Sequence, residues 1–397
     1  MSASFLPYGR QAIDESDIEA VAEVLRGDWL TTGPAVDAFD AAFAEAVGAR
    51  HSVSCSNGTA ALHLALAALG VKEGDTCVVP AITFMATANA ARYCGAEVAF
   101  ADVDPDTGLM TPETLDAALG RAEGTARAVL PVHLAGQCGA LDELAHAATL
   151  AGAVLVEDAS HAAGSFYQGE PVGNGRYSAA TTFSFHPVKT IAAGEGGAVT
   201  TNDDAVAARL RLLRSHGIER DPARHRRQEG EPWWHEMHAL GWNYRLSDIH
   251  AALAHSQLKR LPAFIERRQA LARAYDMALQ DLPDTVRPLA RTRDCNPCLH
   301  LYPVRIDFEA AGRSRSAVME ALRAHGIGTQ VHYIPVNEQP YYQDRYGRQD
   351  LPGARRYYER TLSLPLFVGM ADDDPKRVVD RLAQVLGFYN RTGSDFT

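Results

Sequence analysis

Between about residue 50 and residue 202 the chain alternates short apolar runs with stretches of helical pattern, and few folds accept that alternation. The runs HSVSCS (51–56), TCVVP (76–80), EVAFADV (97–103), ARAVLPVHL (126–134), AVLVED (153–158), TTFSF (181–185) and GAVTT (197–201) read as strands. Between them TAALHLALAAL (59–69), MATANAARYC (85–94), PETLDAAL (112–119) and LDELAHAATLAG (141–152) read as helices. Strands alternating with helices predict an α/β fold with a mostly parallel, doubly wound sheet. Ligands of such sheets sit beyond the carboxyl ends of the strands. Helices are also expected over 203–216 and, as one long stretch, over 246–279. After about residue 280 the character changes, and the remainder reads as a smaller C-terminal α+β domain. The expected division is a large domain over 15–265 and a small one over 266–397, with residues 1–14 packing near the latter.

Length and charge narrow the function classes. A chain of 397 residues is too long for one ordinary core, and 46% hydrophobic residues is a globular composition. No apolar run is long enough for a bilayer, and the start MSASFLPYGRQ lacks signal-peptide character, so the expectation is a cytoplasmic enzyme with no membrane partner. With 38 basic and 49 acidic side chains the formal charge is −11, which excludes nucleic-acid binding through bulk charge. The mixed stretch ERDPARHRRQEGE (219–231) reads as a surface loop. Cys295 and Cys298 form a CNPC pair with no second Cys/His pair close in sequence. Two reduced thiols are expected there and no metal site.

Four features fall at predicted strand ends. SNGTAAL (56–62) is a strand end, a glycine turn and a helix start, where backbone N–H groups can bind phosphate. A turn with an N-cap gives the same pattern. Asp158 closes the strand VLVED, where its carboxylate could hold a protonated ring nitrogen or serve as a cap; His161 follows. Phe84 ends PAITF and could stack on a flat ring or belong to the core. Ser184 and Lys189 lie in FSFHPVKTIAAGEGG, between two apolar strands. Partial desolvation there lowers a lysine pKa and makes the amine nucleophilic toward carbonyls. Phosphate cradle, stacking face, ring-nitrogen acid and amine nucleophile together describe a site for pyridoxal 5'-phosphate (PLP).

The segments FSFHPVKTIAAGEGGAVTTN, EDASHAAGS, SNGTAALHLAL and GWNYRLSDIHAAL resemble the DegT/DnrJ/EryC1/StrS family of sugar-nucleotide aminotransferases, enzymes of PLP fold type I. The resemblance runs from LPYGRQ (6–11) to LSLPL (362–366). It implies that Lys189 is the Schiff-base lysine and that Asp158 pairs with the pyridine nitrogen. His161 would lie near the phenolic oxygen, with Phe84 stacked on the ring. Gly58, Thr59 and Ser184 would hold the phosphate, and Asn243 would reach the phosphate of a neighbouring subunit's cofactor in a homodimer with shared active sites. Further segments, among them GDWLTTGP and GTQVHYIPV, resemble the pseudaminic acid branch of the family. That branch moves an amino group from glutamate, leaving 2-oxoglutarate, to a UDP-linked N-acetylated 4-keto-6-deoxy hexose. By the same resemblance Tyr8, Trp29, Leu30, Thr31, Ser56, Gln330, Val331, His332 and Tyr333 would line the sugar-nucleotide site. Arg10 and Arg245 are either candidates for the substrate anions or solvated surface arginines, and His133 and His332 could touch the sugar or be structural. Three rivals remain: the same reaction on another nucleotide-linked keto sugar, a PLP-binding regulator without turnover, and a nicotinamide-dependent oxidoreductase. The last would want GxGxxG where the chain has SNGT.

Overall fold

The computed structural model describes residues 5–227 and 230–388. The seven apolar runs form one seven-stranded sheet: β1 (His51–Cys55), β2 (Asp75–Pro80), β3 (Glu97–Ala101), β4 (Thr125–Val129), β5 (Val154–Asp158), β6 (Ala180–Ser184) and β7 (Gly197–Thr201). Their order across the sheet is β1-β7-β6-β5-β4-β2-β3. Four neighbouring pairs, β3–β2, β2–β4, β4–β5 and β5–β6, are parallel. β7 runs antiparallel to both β6 and β1, so it alone opposes the others. The expected mostly parallel sheet is therefore mixed only around β7, the strand that follows the Lys189 loop.

Both faces of the sheet are buried, which is why its strands read as nearly continuous apolar runs. Within β2, Cys77 and Val79 join one core with helices α3 (Gly58–Ala68) and α4 (Ala86–Tyr93), while Val78 faces the other. The second core holds Phe39 and Phe43 from the helix Pro34–Val47, edge-on to Phe183 and Phe185.

The long helix expected over 246–279 is two helices, Asp248–Lys259 and Leu261–Leu279, meeting at Arg260. Pro262 is the cause: its ring is accepted in a first turn but offers no N–H to the preceding one. The second of these helices serves two cores. Leu261 and Phe264 pack under the large sheet, whereas Leu271, Tyr275 and Leu279 pack in a third core with Val304, Leu362 and Val378. The division drawn near residue 265 falls inside that helix. Residues 336–357 return to the large sheet, with Val336, Tyr342 and Tyr357 in its first core.

The N-terminal strand of chain is tied to the C-terminal part. Leu6 exchanges backbone hydrogen bonds with Gly326 and Gly328, and the Leu366 N–H donates to Tyr8 O. Residues 1–4 and 389–397, which also belonged to the expected small-domain region, lie outside the described residues.

The sheet also fixes the turn after β1. Gly197 opens β7 directly beneath Asn57, and a Cβ there would come within 2.4 Å of Asn57 O and 2.9 Å of the Gly58 nitrogen. Gly197→Ala must therefore displace the 56–58 turn, at a cost of about 1–3 kcal/mol. We expect a melting temperature several degrees lower and weaker PLP binding, read by thermal melting and cofactor titration.

Candidate active site

At the carboxyl ends of the strands lies an open cavity of about 900 Å³. Five strand-end segments supply its walls: residues 57–60 after β1, 83–86 after β2, Asp158 to His161 after β5, Ser184 after β6, and the 186–195 loop leading to β7. Tyr8 and residues 330–334 close it from the C-terminal part.

The turn after β1 starts helix α3. Asn57 caps it by accepting from the Ala60 N–H at 2.8 Å. First-turn N–H groups have no partner within a helix and attract anions. Gly58 is required by proximity: a Cβ would stand 2.8 Å from Ser184 Cβ and 3.1 Å from Ser184 Oγ. The bare glycine lets the hydroxyl of Ser184 and the N-terminus of α3 converge on one point, a cradle of phosphate size.

Lys189 follows a turn in which its N–H donates to His186 O at 2.8 Å. The side chain is half-buried and lines the cavity, so the amine sits in a recess facing it. Desolvation lowers its pKa from 10.5 to about 8, against the opposing pull of the Asp158 carboxylate.

Asp158 is buried, and its two oxygens are used differently. Oδ2 accepts from Thr87 Oγ1 at 2.6 Å, and Oδ1 accepts from the Ser160 N–H at 3.1 Å. Thr87 is further restrained by Thr83 Oγ1 at 2.7 Å. The carboxylate is thus held in a fixed plane at the cavity floor, able to bind a protonated ring nitrogen. Cradle, carboxylate and recessed amine fit pyridoxal phosphate.

His161 is buried and kept neutral by desolvation, reinforced by Lys189 and His332. Its Nδ1 accepts from the Ala135 N–H at 3.3 Å, so the ring proton belongs on Nε2. That nitrogen lies 3.0 Å from Tyr333 Oη. His161 therefore donates, and the Tyr333 hydroxyl proton is left to point elsewhere in the cavity. His332, pushed down to about 3 by burial and then by Lys189, shares a hydrogen bond with Ser363 Oγ at 2.8 Å.

Of the residues expected from the sequence, the structure brings Gly58, Thr59, Phe84, Asp158, His161, Ser184, Lys189, Tyr8, Gln330, Val331, His332 and Tyr333 to this cavity. Phe84 is 53% exposed at the rim instead of buried in the core. Trp29, Leu30, Thr31, Ser56 and Asn243 do not line it. Trp29 and Leu30 are exposed on the loop before the second helix, and the Ser56 N–H is taken by Tyr244 O at 2.7 Å. Asn243 is exposed beside Ser215. Arg10 and Arg245 also stand away from the cavity. His133 takes the structural alternative: it is fully buried, its backbone N–H donates to Asp158 O at the end of β5, and its Nε2 lies 2.7 Å from Glu157 Oε2. Two contributors were missed. Thr87 had no signal beyond a polar residue in an alanine-rich helix. His300, 4.5 Å from His161 ring to ring, lines the cavity and was legible only as a histidine opening an apolar strand.

The fold and cavity are those of a PLP-dependent aminotransferase. The chain belongs to the DegT/DnrJ/EryC1/StrS aminotransferase family, whose profile matches residues 11–383. It is 38% identical over 385 residues to the spore coat polysaccharide biosynthesis protein SpsC of Bacillus subtilis, covering 96% of this chain and 97% of that one. Among solved structures it is similar to PseC of Helicobacter pylori, an aminotransferase involved in pseudaminic acid biosynthesis. That match has a TM-score of 0.88 and 28% identity, covering 97% of this chain and 100% of that one. It is also similar to the sugar aminotransferase Spr1654 of Streptococcus pneumoniae in its PLP form, with TM-score 0.86 and 27% identity over 97% and 99% of the chains.

The lysine recess has a measurable cost. Without cofactor, Lys189 is charged in both folded and unfolded chains below about pH 8, and the folded state there bears the full penalty. The penalty is relieved as pH rises from about 8 toward 10.5, because the folded chain loses its proton first. Cofactor-free Lys189→Met should therefore be inactive yet more stable than the parent at pH 7, by at most about 3 kcal/mol. Urea unfolding across that pH range should show the advantage shrinking.

Proposed function

We propose that the protein moves the amino group of L-glutamate to the 4-keto carbon of a UDP-linked N-acetylated 4-keto-6-deoxy hexose, as in nucleotide-sugar synthesis of the pseudaminic acid type. The observation that carries this reading is the full-length likeness to PseC. The segment from Gln330 to Tyr333 forming one cavity wall adds to it. The identity to SpsC favours a second reading, the same reaction on another nucleotide-linked keto sugar.

In this reading Gly58, Thr59 and Ser184 hold the cofactor phosphate, Phe84 covers one ring face, and His161 lies near the phenolic oxygen while its Nε2–H orients the Tyr333 hydroxyl. When bound, PLP withdraws electrons from the carbon that loses or gains a proton. Asp158 strengthens that withdrawal by favouring a protonated ring nitrogen. Lys189, after anchoring the cofactor, is the proton carrier. An amine with a pKa near 8 accepts the α-proton of glutamate at Nζ and returns it one position away. The same amine serves the sugar half in reverse.

The substrate's diphosphate needs positive charge. Lys189 is the one lysine among the described residues lining the cavity, and no arginine lines it. Together with the exposed positions of Trp29, Leu30 and Asn243, this supports a homodimer in which a second chain completes each site.

Two measurements test these statements. Glutamate should convert the visible band of the lysine-bound cofactor to the shorter-wavelength band of the aminated form. Of a panel of nucleotide-linked 4-keto sugars, the UDP-linked N-acetylated one should restore it fastest. A faster response to a TDP-linked sugar would favour the second reading, and a band indifferent to glutamate would point to another donor or to a regulator. Separately, inactive Lys189→Ala and Asn243→Ala chains, mixed and refolded together, should recover about a quarter of parental activity, since half the dimers then hold one intact site. No recovery would remove the shared-site claim.

A further inference from the structure

Six cysteines are unpaired in the structure, and Cys138 meets the distant Cys295–Cys298 pair at one spot. Residues 290–300 cross the 133–138 loop as a strap. Gln137 Nε2 donates to Ala290 O at 3.0 Å, Thr292 Oγ1 donates to Cys138 O at 2.9 Å, and the His300 N–H donates to Ala135 O at 3.1 Å. Cys295 lies midway along the strap, on a two-residue strand paired with Phe166 and Tyr167. The Cys138 N–H donates to Cys295 Sγ at 3.2 Å, and the Cys295 S–H points to Gly136 O at 3.8 Å.

The two sulfurs are unequal. Cys138 is fully buried, while Cys295 is half-buried. The thiol of Cys138, and then its N–H, stabilise negative charge on Cys295 and lower its pKa, while the same contact raises that of Cys138. Cys298 is different: it is buried and donates its S–H to His161 O at 3.1 Å. A half-buried thiol of lowered pKa beside a fully buried one is an arrangement in which oxidation of the first can pass to a disulfide with the second. With Cys295 Sγ 3.2 Å from the Cys138 amide nitrogen, the Cys295 side chain reaches the backbone of its partner, the first requirement for a bridge.

We propose that Cys295 and Cys138 are a reversible oxidation site, taking a peroxide as oxidant and closing a disulfide between the strap and the 133–138 loop. The Cys295 thiolate attacks one peroxide oxygen, forming an S–O bond and breaking the O–O bond; the other oxygen leaves as hydroxide and takes up a proton. Cys138 sulfur then attacks Cys295 sulfur, forming the S–S bond and releasing a second water. Two thiols lose two electrons and two protons, and one peroxide becomes two waters. A dithiol reverses it. The bridged loop is the one whose Ala135 N–H holds His161 Nδ1, so oxidation would act on the cavity through that histidine.

The test uses the full-length holoenzyme, treated with a small excess of hydrogen peroxide, then alkylated, digested and mapped by mass spectrometry. We expect two of the six thiols to be lost per chain, a mass lower by about 2 Da, a peptide linking residues 138 and 295, and full return with dithiothreitol. Cys298→Ser should behave as the parent. Cys138→Ser should instead hold a sulfenic acid at 295 that dimedone traps. If peptides 138 and 295 of the parent remain free, or if the link joins Cys298 or another chain, the proposal fails, and the parent map decides this even if a variant does not fold.

Discussion

A lysine held where its charge is costly is the constraint around which the rest of the molecule is arranged. Left wet, Lys189 would carry a proton at every physiological pH and could neither attack a carbonyl nor accept a proton from carbon. Recessed between two hydrogen-bonded strands, it titrates near 8 and can do both. The recess exists because β7 turns back antiparallel beside β6, so that the loop between them is pinned at both ends on the sheet's ligand-binding edge.

The other groups are placed by the same edge. Every strand that contributes to the cavity ends on the same side, and close approach does the fine positioning. Gly197 admits Asn57 above it, and Gly58 admits Ser184 beside it. Polar partners then fix orientation: Thr87 and the Ser160 amide hold the Asp158 carboxylate, while the Ala135 amide sets which nitrogen of His161 carries hydrogen. None of these supporting atoms needs to touch a substrate to decide what the groups that do can accomplish.

Much of this was legible in the sequence, for physical reasons. Strands buried on both faces are apolar throughout, so all seven runs stood out, and the glycine turn, Asp158 and Lys189 each fall at a run's end. The single helix read over 246–279 failed because the apolar pattern continues through Pro262 while the backbone hydrogen bonds do not. Thr87 was silent because its partner is 71 residues away. His133 and His161 are alike in sequence, each a histidine just past an apolar run. Only packing shows that one is buried against Glu157 and the other lies beside the cavity. Residues 29–31 and Asn243 were named from resemblance, and a single chain gives them nothing in this cavity to touch.

The docking of the first residues has a bearing on how the protein is made. Leu6 hydrogen-bonds across the chain to Gly326 and Gly328, and Tyr8 to Leu366. The segment around Leu6 is thus synthesised long before its partners and waits for more than three hundred further residues to find its place. Until then the sheet can assemble with its ligand-binding edge open, since Tyr8 and the 330–334 wall are both missing. A chain at that point would carry Lys189 and Asp158 but lack the 330–334 wall and the core contribution of Val336, Tyr342 and Tyr357. During vectorial synthesis such a stage is exposed to chaperones, and by its geometry it can meet the cofactor before any sugar nucleotide can be gripped.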